Sequence, residues 1–166
     1  MNFQEAINTG KVTQEQAFQI FDSLSIVQPE EILGNWKGSE LISGHPADGS
    51  LTATGWFGKR FTDVETVDPL LFYTHDGGVF AADPIKLRSG GGSQQKAADR
   101  QQEIETDQPT ARLRLVNYRG KTSAAMIYDQ LPIIDHFRRV DAETILGAMD
   151  ARNDMFTYFF VLYKVE

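Results

Sequence analysis

The stretch Gly34-Asn35-Trp36-Lys37-Gly38 constrains this chain more than any other. A lone indole set between two glycines, in an alternating segment, suits the start of a small antiparallel barrel. The indole can plug the barrel floor, and the glycines admit backbone or ligand where a side chain would clash. A barrel of that size encloses packed side chains or one small apolar ligand. The motif therefore points to the handling of a small molecule, by carriage or by transformation.

Composition narrows the field. The chain has 166 residues, which suits one domain, 1–166, with a buried core. It carries 16 Lys and Arg against 23 Asp and Glu, a net charge of −7. An acidic chain without a basic run has no electrostatic pull on nucleic acid or an anionic membrane. There is no cysteine, so disulfides, thiolate metal sites and cysteine nucleophiles are excluded. The first residues show no signal pattern, and no apolar run reaches spanning length, so the expectation is a soluble cytoplasmic protein.

Residues 1–33 read as helical. Thr13 followed by Gln16 makes a capping box, and Ala17, Phe18, Phe21 and Leu24 share one helical face. This segment is expected across one end of the barrel, which occupies 34–166. Two strands fall within 35–61, joined by the turn-rich link 43–49. A hairpin about Asp76-Gly77-Gly78 joins 70–74 to 79–82. Residues 89–110 are polar, begin Ser89-Gly90-Gly91-Gly92-Ser93 like a designed linker, and suggest a mobile lid with a helical turn near 94–105. From Ala111 the chain is strongly β. Hairpins are expected about Gly120 and about Asp141–Glu143, with a last strand over Met155–Val165. That strand is apolar on both faces, so something must cover its outer side: the N-terminal helix, or a second subunit in a homodimer.

Alternation supplies a candidate site. If Trp36 points inward, so do Gly38 and Glu40. Glu40 then becomes a carboxylate in an apolar cavity, where desolvation favours the protonated form and a general-acid role; a register shift would instead leave it solvated. Asp129, Asp135, His136 and Arg138 surround Leu131-Pro132-Ile133-Ile134 in what reads as one connection. This is either an acid–base and anion-holding group, with Asp129 and His136 assisting proton transfer, or an Asp-held turn beside a surface His–Arg pair. Lys59 and Arg60, beside Trp56, either grip a substrate carboxylate or stack at the rim. Trp36, Trp56, Phe72 and Tyr128 offer aromatic walls. His45, His75 and His136 have no metal-site spacing, so no metal is expected, and only His75 and His136 remain as axial ligands for a haem.

Residues 35–51 (NWKGSELISGHPADGSL) with Gly34, then Gly55–Phe61, then Met126–Asp141 and Ile145–Asp150, resemble the family named for its GXWXG motif together with its usual C-terminal companion domain of unknown function. The resemblance covers most of the chain and implies a calycin-type, lipocalin-like barrel. Chain length and the N-terminal helix further resemble the cyclase/decarboxylase group of scytonemin pigment biosynthesis. That likeness implies a cofactor-free ring closure, with loss of water and carbon dioxide, on a β-keto acid bearing an indole and a phenol. A non-catalytic carrier of an apolar ligand and a haem-binding barrel stand as the other two classes.

Overall fold

The computed structural model describes residues 1–90 and 95–165. Its strands are β1 (Gly34–Leu41), β2 (Trp56–Asp63), β3 (Thr66–Tyr73), β4 (Val79–Ala81), β5 (Ala111–Tyr118), β6 (Lys121–Tyr128), β7 (Ile133–Asp141), β8 (Thr144–Ala151) and β9 (Tyr158–Val165). They form one antiparallel sheet in the order β2-β1-β9-β8-β7-β6-β5-β3-β4, and β2 also pairs with β3. That extra pairing closes the sheet into a barrel, with β4 hanging from β3 outside the ring. The fold is thus the mainly β, calycin-like barrel expected from the sequence. The β3–β5 seam is narrow, held by Val67 opposite Ala111.

The barrel is filled rather than hollow along its lower half. Trp36, Phe61, Leu113, Ala124, Phe137, Ile145 and Leu162 pack together there. A 3-10 turn, Pro29–Ile32, closes this floor, and the Trp36 indole donates to the Ile32 carbonyl at 2.8 Å. The plug inferred from the glycine-flanked indole is therefore real, and its polar edge is satisfied.

Two glycines set the geometry beside that plug. A Cβ on Gly38 would lie 2.3 Å from the Trp56 ring, so its absence gives Trp56 its place. Gly58 has φ +154, and a Cβ there would meet the Trp36 carbonyl oxygen at 1.9 Å. The β2–β3 register shifts on both sides of Gly58. This bulge places Trp56, Lys59 and Phe61 all within the buried set, where strict alternation would have sent Lys59 outward.

The outer face of β8, β9 and the end of β1 carries a second core. Helices α1 (Phe3–Thr9) and α2 (Gln14–Ser23) lay Ala6, Ala17, Ile20 and Phe21 on Leu41, Leu146, Ala148, Phe159 and Val161. Both helices open with a capping box, Asn2 with Glu5 and the expected Thr13 with Gln16. Of the segment 1–33, the helices therefore lie along the barrel wall, because the apolar outer residues of β8 and β9 offer the larger surface, while Pro29–Ile32 crosses one end as the sequence suggested. The doubly apolar last strand is covered within the chain, so the reason for expecting a second subunit is met by α1 and α2.

The opposite end is the mouth. It is roofed by α3 (Ser50–Thr54), α4 (Pro84–Arg88) and α5 (Gln101–Ile104). The expected linker-like stretch lies partly in 91–94, outside the described residues. The segment beyond it is ordered by its few apolar residues: Ala97 and Ile104 are buried, and Arg100 donates to the carbonyls of Lys86 and Leu87 at 3.0 and 2.9 Å. Residues 97–104 thus form the helical turn expected near 94–105, but as a packed cover in place of the mobile lid expected there. Among the described residues no helix is long and apolar enough to cross a membrane.

Candidate functional site

A cavity of about 400 Å³ sits in the mouth, under α3, α4 and the 3-10 turn Ala97–Arg100. Its lining is mostly apolar, from Leu51, Leu70, Leu87, Leu131 and Met149. Tyr128 and Tyr158 interrupt that lining from the barrel side, and Arg88 does so from α4.

Strand alternation explains Tyr158. It shares the inward face of β9 with Phe160 and Leu162. Its hydroxyl donates to Glu40 Oε1. The same carboxylate accepts from the Gly49 backbone N–H at 2.8 Å, the Thr52 N–H at 3.0 Å and the Thr52 hydroxyl. Glu40 therefore orders the start of α3 and aims the Tyr158 phenol at the same time. Every one of these contacts is donated to it, so Glu40 acts here as an acceptor behind the cavity wall. Burial and the adjacent Glu40 push the Tyr158 phenol far above its ordinary range. Burial likewise raises Tyr128, helped by Asp135 and opposed by Arg88.

Beneath the phenols lies a buried ion pair. Lys59 Nζ is 3.0 Å from Asp135 Oδ2, with each side chain 3% exposed. Lys59 also donates to the Pro69 carbonyl at 3.2 Å, and its Nζ lies 5.1 Å from the centre of the Phe160 ring, 5.7 Å from that of Trp56 and 5.8 Å from that of Tyr128. Burial pushes the Asp135 carboxyl up against the pull of Lys59.

The predicted site residues divide. Trp36, Trp56, Lys59, Phe72 and Tyr128 are inside the barrel. Trp36 belongs to the floor, while Lys59 and Tyr128 lie at or just below the cavity. Arg60 points outward and pairs with Asp68 at 2.8 Å. Asp129 is outside the cavity, paired with Arg112 at 2.6 Å.

The supposed connection 129–138 is itself corrected, because Ile133–Asp141 is strand β7. Consecutive strand residues face opposite ways, so Asp135 turns inward while His136 and Arg138 turn outward. His136 stacks on Tyr118 with centroids 3.7 Å apart, and its Nε2 meets Asp150 at 3.2 Å. Burial lowers the His136 imidazole against the pull of Asp150. Arg138 lies over the Phe21 ring and donates to the Tyr118 carbonyl at 2.7 Å. Neither can reach a ligand in the mouth.

The sequence did not single out Tyr158, Arg88 or a separate role for Asp135. A carboxylate alternating with Ile133 and Phe137 was the available signal for the last of these.

The imidazoles considered for haem do not fit the cavity. His136 faces the outer core, and His75 is exposed and 3.0 Å from Asp99. His45 accepts from the Ala47 N–H through Nδ1 at 2.9 Å, which leaves Nε2–H to donate to Asp154 at 2.7 Å. None of the three lines the cavity. Among the described residues no cluster of three or more His, Asp or Glu side chains could hold a metal ion.

Comparison with known proteins agrees with this fold. The GXWXG protein family model matches residues 19–77, and a model described as a domain of unknown function, DUF4334, matches 109–164. A crystal structure of a protein from Thermomonospora curvata is 33% identical, with a TM-score of 0.76, and the match covers 98% of this chain and 95% of that one. The chain carries a GXWXG segment followed by its DUF4334 companion. No protein of curated function matches it. In this GXWXG protein the motif has separable duties: Trp36 seals the floor, and Gly38 seats Trp56 against the interior. The companion region supplies Tyr128 and Tyr158 to the cavity, the GXWXG segment Leu51 and Leu70, and the stretch between the two matches Leu87 and Arg88.

Proposed function

We propose that this protein is a cofactor-free cyclase/decarboxylase that takes an aromatic β-keto acid in the mouth cavity. The observation that carries the reading is the Tyr158 phenol, which lines an apolar cavity of about 400 Å³ while its proton is directed at Glu40. Such a pair is a proton relay. When a ring carbon of the substrate gives up its proton, the phenol oxygen accepts it as the phenol proton passes to Glu40.

Ring closure then has its parts. An electron-rich indole carbon attacks the ketone carbon, and the ketone oxygen takes a proton. Tyr128 makes no hydrogen bond to a described residue and is the second phenol at hand. The former ketone oxygen leaves as water. The carboxylate, on the carbon beside that former ketone, leaves as carbon dioxide, its bonding electrons forming the ring double bond as the water departs. The reaction needs no external oxidant or reductant. Arg88 is a rim cation that suits the carboxylate, and the apolar lining with its two tyrosines suits an indole and a phenol. The indole- and phenol-bearing substrate, and its place in scytonemin pigment biosynthesis, come from likeness in length and N-terminal helix to that group of enzymes.

The roles differ from those first expected. Tyr158 is the group that touches substrate and Glu40 takes the relayed proton; Asp129 and His136 are too far round the barrel to help. Loss of a positioned acid or base costs about a hundredfold to ten-thousandfold. Tyr158→Phe should therefore collapse carbon dioxide release from such a keto acid while leaving its binding in place. Glu40→Gln should do the same but also disturb α3, because an amide NH₂ would face a backbone N–H. Turnover at the wild-type rate in Tyr158→Phe would sink the relay.

The displacement of Asp129 and His136 from the mouth favours a second reading, a non-catalytic carrier of a small apolar molecule. Tight binding without turnover by the unmodified protein would decide for it.

A further inference from the structure

The Lys59–Asp135 pair is not accounted for by stability. Replacing a buried ion pair with apolar residues of similar volume is often neutral or stabilising. Yet the chain places Lys59 inside through a bulge at Gly58 that no other residue tolerates without strain. Nor is the pair complete. Asp135 Oδ1 and Trp56 Nε1 are both buried without a hydrogen-bond partner among the described residues, and the ammonium has described acceptors for two of its three N–H groups, at Asp135 and Pro69. One acceptor and two donors are thus left over around Lys59, in a box walled by Trp56, Tyr128 and Phe160. Unmatched buried polar atoms are costly, and here the cost falls on three groups in one place.

We infer that Lys59, Asp135 and Trp56 form an inner polar subsite below the mouth cavity, reached past Tyr128, that takes a neutral oxygen-bearing head such as a phenol or enol. The ligand oxygen accepts from the ammonium or the indole N–H, and its own O–H donates to Asp135 Oδ1. Charge selects against a carboxylate: Asp135 already neutralises Lys59, so an anion would meet the Asp135 carboxylate with no net positive charge to offset it. The sequence-based idea that Lys59 grips a carboxylate is replaced by this one, with Arg88 at the rim left for the anionic end. The subsite rests on the proposal that the mouth cavity binds a small aromatic molecule, but not on that molecule being transformed.

The test uses the full chain and three probes: 4-methylphenol, 4-methylanisole, which cannot donate, and 4-methylbenzoate. Binding is measured by calorimetry, and the two indole N–H resonances are followed by NMR, with Trp56 assigned from Trp56→Phe. The expected result is that 4-methylphenol binds about tenfold or more tightly than 4-methylanisole, as one hydrogen bond to a charged group allows. It should also shift the Trp56 indole resonance. Lys59→Met/Asp135→Leu, which removes both charges at similar volume, should erase the discrimination; if that variant does not fold, the wild-type Trp56 resonance still decides. Equal binding of phenol and ether with the Trp56 signal unmoved overturns the subsite and leaves the mouth cavity standing. Tightest binding of 4-methylbenzoate with a shifted Trp56 signal overturns the preference for a neutral head. Failure of every probe to bind overturns both the subsite and the cavity reading beneath it.

Discussion

Gly38 and Gly58 stand near each other in the barrel wall, yet they are glycine for different reasons. Gly38 leaves space that the Trp56 ring fills, and Gly58 leaves space that the Trp36 carbonyl fills. A ring can shift somewhat, whereas a strand's backbone cannot. Gly38→Ala should cost about 1–3 kcal/mol, the range for overpacking, and Gly58→Ala more, because the strained φ adds to the clash. Midpoints of urea unfolding check the order of the two; an equal or reversed order would show that the bulge relaxes.

His136 supplies a pH prediction at the same scale. Its folded value lies below the ordinary 6.5 because burial disfavours the cation. The unfolded chain therefore binds more protons in the window just below pH 6.5. Stability is complete above that point and falls as pH drops through the folded value. His136→Gln should flatten the fall in unfolding midpoint between about pH 7.5 and about pH 5. A slope equal to that of the native protein would assign the acid sensitivity elsewhere.

At the scale of elements, α2 is held by more than its apolar face. Phe21 packs on Phe159 and under the Arg138 guanidinium, while Asp22 takes a two-pronged bond from Arg119 at 2.7 and 2.8 Å. Phe21→Ala should cost about 3–5 kcal/mol, since a buried aromatic leaves a cavity that a barrel wall cannot close. Asp22→Ala removes a partly exposed pair and should cost about 1 kcal/mol or less. Thermal unfolding of the two variants tests the contrast.

β7 shows how an element decides a site. As a loop, 129–136 would gather its polar residues; as a strand, it separates Asp135 from His136 across the sheet. The run Ile133, Asp135, Phe137 carries the inward pattern, but Pro132 and the flanking aspartates read as turn formers. Local chemistry and tertiary pairing pointed different ways, and the pairing of β7 with β8 prevailed.

For the whole molecule, the question is what covers the outer face of β8 and β9. In the full chain it is α1 and α2, which bury Phe159 and Val161 completely. Removing residues 1–24 should expose that face and cause concentration-dependent self-association, visible by sedimentation. A truncated chain that stays monomeric and soluble would show that the wall does not need its helices.

Much of this protein was legible in order along the chain. The glycine-flanked indole, the hairpin turns and the period-2 alternation determine a closed antiparallel barrel with a plugged floor. The capping box at Thr13 places the start of α2. These are local signals, each contained within a few neighbouring residues. The cavity was not legible in that way. Tyr158 meets Glu40 across 118 positions, and Lys59 meets Asp135 only because a bulge at Gly58 breaks the alternation that sequence reasoning relies on. Sequence period assigns a face only while the register is regular. Which side chains share the barrel's interior at a given depth depends on the stagger of strands distant in sequence, and that stagger is decided by closure of the barrel.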